Sequence, residues 1–292
     1  MRHSRRAALA GLAAYAMPGV ARARIYADTI TMVGENLDEI RAKGRLKVAV
    51  YEDFAPFSAV RDGRFAGIDC DIARLLAERL GLRLELTAIQ AGETVEDDLR
   101  NHVWRGGLVD RSVVNLMLHV PYSRELETRS ELAVLIQPYY TETLLIAYDP
   151  DELDGEPSLA ALEGGTIGVE LDSLPDFYLG STLGGRLRDG LVHYRRTEDG
   201  LDALLAGEIT AFMGLRSQVE ARLGSERERF DLGSIPLPGL TAPSWAVGAA
   251  VRENARDLGY AASDILAGAV RDGTMGAIFA VHGVSYQPPP FA

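Results

Sequence analysis

The chain has 292 residues, of which 47% are hydrophobic and 25% are charged, and its net charge at neutral pH is −12. This length suits one large domain or two lobes, and the composition is typical of a globular protein rather than a disordered, collagen-like or coiled-coil chain. The negative charge argues against nucleic acid as a partner, because binding it requires a basic face. The single cysteine, Cys70, excludes an internal disulfide and a cysteine-based zinc site.

The first 23 residues have the pattern of an export signal. A basic start is followed by an apolar run over residues 7–20 and then by Ala21-Arg22-Ala23, which has the A-x-A form of a cleavage site. Residues 4–9 also resemble a twin-arginine signal, so both export routes stay open. We therefore predict a signal peptide at 1–23 and a periplasmic location. The alternative is an N-terminal helix of the fold.

The first half of the remaining chain alternates between strand and helix patterns. Period-two alternation and β-branched residues indicate strands, whereas apolar residues three and four positions apart indicate helices. In chain order the patterns predict a strand at 46–51, a helix at 69–80, a strand at 82–89, a helix at 94–104 and a strand at 113–120. The last of these is almost continuously apolar, which is typical of a strand buried on both faces.

The second half repeats this alternation and predicts a second lobe. Its predicted strands are 144–148, 166–171, 191–194, 209–213 and 245–251; its predicted helices are 158–162, 174–179, 201–206, 217–223 and two within 254–280. Strands that alternate with helices indicate an α/β fold with a largely parallel sheet in each lobe. We expect the chain to cross between the lobes twice, at 138–142 and 238–244. Ligands of such sheets bind in the crevice at the carboxyl ends of the strands.

Several short segments, in order and at consistent spacing, resemble one known family. They are residues 44–50 with Ala55-Pro56-Phe57-Ser58, residues 67–73, Pro138-Tyr139-Tyr140, residues 204–211 and residues 272–286. Together they are similar to the bacterial periplasmic solute-binding proteins of the amino-acid ABC-importer type, the family 3 extracellular solute-binding proteins. Each motif alone is weak, and the resemblance depends on their order.

The resemblance implies a type II periplasmic-binding-protein fold, an α/β fold of two lobes joined by a hinge of two crossing segments. It implies a first lobe of residues 30–140 plus 243–286 and a second lobe of residues 141–242. It further implies a monomer without cofactor or catalytic activity, which holds a small-molecule ligand between the lobes and delivers it to the membrane permease of an ABC importer.

The polar site residues that the resemblance implies depart from the usual pattern. The family's Thr-Pro-Glu-Arg turn supplies an arginine for the ligand's carboxylate, and Arg124 matches it best, with Arg129 as the alternative. Ser173 stands where a hydroxyl at a helix start would bind the same group, although it also suits a helix cap. The family's aspartate for the ligand's ammonium is missing, since Phe212, Met213 and Gly214 occupy that region. We expect Met213 to face the ligand.

Aromatic residues fall where the family's cleft aromatics lie. Tyr51, Phe54 and Phe57 follow the first strand, and Trp245 lies on the returning strand near the hinge, so each is a candidate for stacking on the ligand. His119 ends a predicted buried strand and is a further candidate. Core packing remains the alternative for all of them. The five histidines lack metal-site spacing, so we expect no metal.

These observations predict a binding protein that captures a small polar, anionic solute, either amino acid-like or an organic acid. Two alternatives stay open. Residues 98–104 and 117–121 resemble a subgroup associated with quinoprotein dehydrogenases, which suggests pyrroloquinoline quinone or the dehydrogenase as a partner. A periplasmic dehydratase derived from the same fold would use a carboxylate in the cleft, and Glu170 and Asp172 are the candidates.

Overall fold

The computed structural model describes residues 33–107, 111–153 and 155–290. The predicted signal peptide therefore lies outside the described residues. The strands are β1 (Arg45–Tyr51), β2 (Asp53–Phe54), β3 (Ser58–Arg61), β4 (Arg64–Ala66), β5 (Arg83–Ile89), β6 (Leu116–Pro121), β7 (Ala133–Tyr148), β8 (Ile167–Glu170), β9 (Leu191–Tyr194), β10 (Ala211–Leu215), β11 (Asp231–Leu232) and β12 (Ser244–Arg252). The α-helices are α1 (Leu37–Lys43), α2 (Ile68–Leu80), α3 (Val95–Asp98), α4 (Arg124–Arg129), α5 (Leu174–Ser181), α6 (Thr197–Leu205), α7 (Arg216–Leu223), α8 (Arg256–Arg271) and α9 (Thr274–Val281).

One hydrogen-bonded sheet runs through the molecule in the order β5-β1-β6-β12-β7-β10-β8-β9, and β11 pairs with β7. Strand β1 pairs in parallel with β5 and β6, and β8 pairs in parallel with β9 and β10. These two parallel groups are the sheets of the two lobes. Strands β12 and β7 lie between them and run antiparallel to their neighbours.

The connection between the lobes depends on the length of β7. Its first part pairs with β12, from Ala133 opposite Arg252 to Thr143 opposite Ser244, and its last five residues pair with β10. A single strand of 16 residues therefore belongs to both lobes. The fold is accordingly α/β with two lobes, as the sequence predicts, and β7 and β12 run side by side between the lobes.

Each lobe has its own hydrophobic core. In the first, α2, α8 and α9 cover the sheet and bury side chains such as Phe57, Tyr140 and Phe279 completely. In the second, the core lies around β8 and β10 and includes Met213. Trp245 on β12 packs against both cores, so it lies at the boundary between the lobes.

Most predicted elements are present, and the differences are local. The helix predicted at 94–104 is present and is capped by Thr94, but it changes type, because α3 ends at Asp98 and a π-helix follows over Leu99–Trp104. Apolar spacing cannot separate these two helix types over so few residues. The sequence also gave no prediction for α1, for the small β2-β3-β4 sheet, for α4, or for the first half of β7.

No helix among the described residues is both long enough and apolar enough to cross a membrane.

A glycine fixes the position of the loop between β2 and β3, which directly follows Phe54. Gly67 has φ +125°, and a Cβ added there would lie 2.3 Å from the carbonyl oxygen of Phe57. Both the backbone angle and the close approach therefore require glycine. The backbone N–H of Asp69, two residues on, donates to the same carbonyl.

We predict that Gly67→Ala lowers the free energy of unfolding by roughly 3 kcal/mol or more, because it adds a backbone clash to left-handed strain. Gly44→Ala is the matched control, since Gly44 has φ +64° with open space around it, and about 1 kcal/mol is expected there. Urea unfolding of both variants measures the difference. Equal losses in the two variants would contradict the close-approach argument.

Candidate functional site

A cavity of about 340 Å³ lies between the two lobes. From the first lobe it is lined by Asp53, Phe54 and Ala55 on the β2 loop. Leu144 on β7 and Trp245 on β12 line it from the two strands that join the lobes. This volume lies at the small end of the range for small-molecule sites.

The second lobe lines the cavity with strand ends and helix starts. Strands β8, β9 and β10 are parallel, so their carboxyl ends meet at one edge of the sheet. Glu170 ends β8, Arg195 and Arg196 follow β9, and Met213 lies on β10. Side chains from three separate segments therefore meet at one side of the cavity, and two of these segments carry charged groups.

Glu170 is held in place by its neighbours. The hydroxyl of Thr197 donates to Glu170 Oε2 at 2.6 Å, and the hydroxyl of Ser173 donates to the Glu170 backbone carbonyl at 2.6 Å. Thr197 is buried, so its bond to the carboxylate is shielded from water. Ser173 also caps α5 by accepting from the backbone N–H of Asp176 at 3.3 Å. Ser173 thus lines the cavity and caps a helix at the same time.

The two arginines of the lining have different surroundings. Arg196 lies 2.7 Å from Glu198 Oε2 and 3.6 Å from Asp53 Oδ1, so it pairs with an acid of each lobe. Arg61 of the first lobe also lies 3.5 Å from Glu198. Arg195, by contrast, is exposed and makes no ion pair or hydrogen bond through its side chain with any residue the structure describes. Arg195 is therefore available to an anion in the cavity.

Four of the eight site residues predicted from the sequence line this cavity: Phe54, Ser173, Met213 and Trp245. The structure does not place the other four there. Phe57 is fully buried, with its ring centroid 5.6 Å from that of Phe54 and 4.1 Å from that of His119. Tyr51 donates from its hydroxyl to Asp98 at 2.8 Å and packs in a core cluster behind β1.

His119 lies below the cavity in a buried polar cluster. Its Nδ1 is 3.2 Å from Asp69 Oδ2, and its backbone N–H donates to the Tyr139 hydroxyl, which in turn donates to Asp69 Oδ1 at 2.8 Å. The ring of Phe54 packs edge-on over the imidazole at 4.7 Å between centroids. Phe54 therefore lies between His119 and the cavity, and His119 does not line it.

Arg124 is the first residue of the short helix α4 and is exposed. It does not line the cavity. The alternative, Arg129, is taken up by ion pairs with Glu125 at 2.6 Å and Glu96 at 3.5 Å. The segment that the resemblance aligns with a carboxylate-binding turn thus forms a helix, which begins at the Ser123 cap.

Sequence reasoning missed Arg195, Arg196, Thr197 and Gln218 as lining residues. The first three could have been found from their position, because they directly follow the predicted strand at 191–194. The carboxyl ends of strands in a parallel sheet face the ligand crevice. Gln218 lies on α7, and its side-chain amide donates to the Ala55 carbonyl at 3.4 Å, which joins the two lobes at the cavity.

Metal and thiol chemistry have no support in the described residues. Over 33–107, 111–153 and 155–290, no group of three His, Cys, Asp or Glu side chains could hold a metal ion. Cys70 is buried in the first core, and burial raises the pKa of its thiol to about 12. A thiol with that pKa stays protonated at neutral pH and is a poor nucleophile.

Where β7 passes between the lobes, it carries a buried carboxylate. Glu142 is fully buried and accepts hydrogen bonds from the backbone N–H and the hydroxyl of Ser217 and from the backbone N–H of Thr143. Ser217 lies in the first turn of α7, so the carboxylate joins that helix to β7. Desolvation raises the pKa of Glu142, although the Ser217 hydroxyl acts against this shift.

Comparisons with known proteins define the class of this fold. Residues 46–103 match the sequence model of the bacterial extracellular solute-binding proteins, family 3. This match confirms the family resemblance over that segment, and the structural matches below confirm the two-lobed type II binding-protein fold. No curated protein matches the chain by sequence.

Solved structures of amino-acid-binding proteins are similar over most of the chain. An ancestral cationic amino acid solute-binding protein, AncCDT-1, has a TM-score of 0.67 at 19% identity and covers 85% of this chain and 99% of its own. An amino acid ABC transporter substrate-binding protein from Streptococcus pneumoniae bound to L-arginine has a TM-score of 0.60 at 20% identity, with 87% and 100% covered. A second AncCDT-1 structure, described as a precursor of cyclohexadienyl dehydratase, has a TM-score of 0.57 at 17% identity, with 85% and 98% covered.

We predict that Glu142→Gln becomes more stable relative to the wild type as the pH rises. A carboxyl whose pKa is raised by folding stabilises the protein most below its unfolded pKa of about 4.3, and this contribution is lost as the pH rises toward the folded pKa. The amide cannot ionise, so it does not lose this contribution. Urea unfolding at pH 4, 6 and 8 measures the difference, with Glu131→Gln as the control at an exposed site. A difference that is independent of pH would contradict the raised pKa.

Proposed function

We propose that this chain is a periplasmic solute-binding protein that captures a small polar, anionic solute in the cavity between its lobes. The observation that carries the proposal is Arg195, which has no side-chain partner among the described residues and lies in a cavity lined by both lobes. An arginine without a partner in the protein can form a bidentate, charge-assisted contact with a carboxylate.

The other charged residues that line the cavity restrict the chemical class of the solute further. Arg196 forms ion pairs with both Glu198 and Asp53. Glu170 uses one carboxylate oxygen for Thr197 and can accept a hydrogen bond from the solute with the other. The cavity therefore suits a carboxylate next to a hydrogen-bond donor, as in an amino acid or a hydroxy acid.

Capture of the solute requires contacts from both lobes. To shift a hinge from 1:99 to 99:1 in favour of the closed state, a ligand must bind that state better by about 5.5 kcal/mol. Phe54 and Trp245 face the solute from one side and Arg195 and Glu170 from the other. A solute between these groups makes its full set of contacts only when the lobes are close together.

The proposed lobes are residues 30–140 plus 243–286 and residues 141–242, and the proposed partner is the permease of an ABC importer. The Streptococcus pneumoniae match supports this partner, since it is described as an ABC transporter substrate-binding protein. We propose binding without turnover. The test is incubation of the protein with prephenate-like acids, where product formation would instead support a dehydratase with Glu170 as its acid or base.

We predict that Arg195→Ala weakens solute binding by roughly ten- to a hundredfold, since a charged hydrogen bond contributes about 1.5–3 kcal/mol. Arg195→Lys is expected to restore little of it, because a point charge does not replace the planar guanidinium. The solute is first identified by mass spectrometry of protein purified under native conditions, and calorimetry then gives the affinities.

The matched control is Arg271→Ala, which removes an exposed arginine at the end of α8. Arg124→Ala separates this assignment from the one the resemblance implies. A loss of affinity in Arg124→Ala with none in Arg195→Ala would contradict the proposed role of Arg195. Recovery of no bound solute, and binding of none, would contradict the proposed function itself.

A further inference from the structure

Three large apolar side chains close together in the chain are exposed on the second lobe, and one of them, Leu174, lines the cavity. Leu171 is 49% exposed, Leu174 51% and Phe177 64%. They account for half of the large exposed hydrophobic side chains among the described residues, yet they lie within seven positions of one another. Single exposed apolar residues are normal on protein surfaces, whereas a cluster marks a binding surface. We call these three residues the apolar stripe.

The apolar stripe is held rigidly. Leu174 and Phe177 are three positions apart on α5 and therefore share one face of that helix. The opposite face is fixed to the core through the buried Leu179. The backbone N–H of Leu171 donates to the Tyr194 carbonyl at 2.8 Å, so this residue, three positions before the start of α5, is also fixed.

The stripe is continuous with the cavity, because Leu174 belongs to both. Leu174 and the adjacent Pro175 line the cavity, and from there the stripe leads outward to Phe177. The charged groups Arg195 and Glu170 lie inside, at the ends of the strands, and the exposed apolar surface lies outside, on the same lobe. The arrangement is that of a polar site with an apolar extension.

From this continuity we infer that the solute is an amphiphilic acid, whose carboxylate lies in the cavity and whose apolar side chain extends over Leu174 and Phe177. The inference rests on the proposed function and names the substrate class of the same site. The inference requires the solute to have an apolar side chain longer than a methyl group. The other possible occupant of the stripe is a protein partner such as the permease, and the experiment distinguishes the two.

The test compares probes that differ only in apolar size. Calorimetry measures the affinity of the protein for lactate, 2-hydroxyisocaproate and 3-phenyllactate, and for alanine, leucine and phenylalanine. In at least one series the affinity is expected to rise by about tenfold or more from the smallest to the largest member, as buried apolar area increases. In Phe177→Ser most of this gain is lost, while the affinity for the smallest member is unchanged.

Tyr260→Ser is the matched control, because Tyr260 is 69% exposed on α8 and does not line the cavity. The Tyr260→Ser variant should keep the full rise in affinity from the smallest to the largest probe. Circular dichroism of each variant verifies that the fold is retained, which is expected because the substituted residues are exposed.

Two results would overturn the inference and leave the proposed function intact. One is an affinity that stays flat across both series while Arg195→Ala still weakens binding. The other is an unchanged gain in Phe177→Ser together with reduced uptake of the solute by cells, which would assign the stripe to the permease. Binding of none of the probes by the wild type would overturn the inference and count against the proposed function as well.

Discussion

The buried carboxylate of Glu142 is the interaction on which the relation between the two lobes depends. It lies on β7, the strand common to both sheets, and is held by the backbone and the hydroxyl of Ser217. A carboxylate removed from water is costly unless hydrogen bonds replace its hydration, so few geometries of strand and helix are tolerated. The helix α7, whose first turn contains Ser217, brings Gln218 to the Ala55 carbonyl across the cavity. The width of the cavity therefore follows from a contact that does not line it.

The two neighbouring arginines of the cavity differ in whether acids of the protein neutralise them. Arg196 is balanced within the protein by acids of both lobes, whereas Arg195, one residue earlier, is not. Adjacent residues at the end of a strand point in different directions, which allows one to contribute to contact between the lobes and the other to face a solute. Among the described residues that line the cavity, the arginine without a partner is Arg195, which follows β9 on the second lobe, and the arginine that the resemblance implies, Arg124, lies outside the cavity. The same fold thus places its charged groups in a way that family motifs alone do not predict.

The sequence predicts those parts of the fold that depend on a few consecutive residues, and it does not predict those that depend on residues distant in the chain. Strands β1, β5, β8 and β9 were predicted closely, because alternation over seven residues or a short apolar run between turns is a local property. The continuity of β7 could not be predicted, since the local pattern indicated a strand only at 144–148 and the preceding residues form a strand through their pairing with β12. Phe54 and Phe57 are indistinguishable in sequence, yet one lines the cavity and the other is fully buried beside His119. Side-chain direction within a short loop is decided by tertiary packing, and no pattern in the chain records it.

The ion pairs across the mouth of the cavity have a consequence for the medium in which the protein works. Arg61 with Glu198 and Arg196 with Asp53 join the lobes through side chains that are more than one third exposed. Exposed pairs of this kind contribute about 1 kcal/mol or less each, and ions screen them over a Debye length of about 8 Å at physiological salt. The contacts that join the lobes at the entrance therefore weaken as ionic strength rises. In dilute surroundings the entrance is held more tightly, and in concentrated salt it is held more loosely.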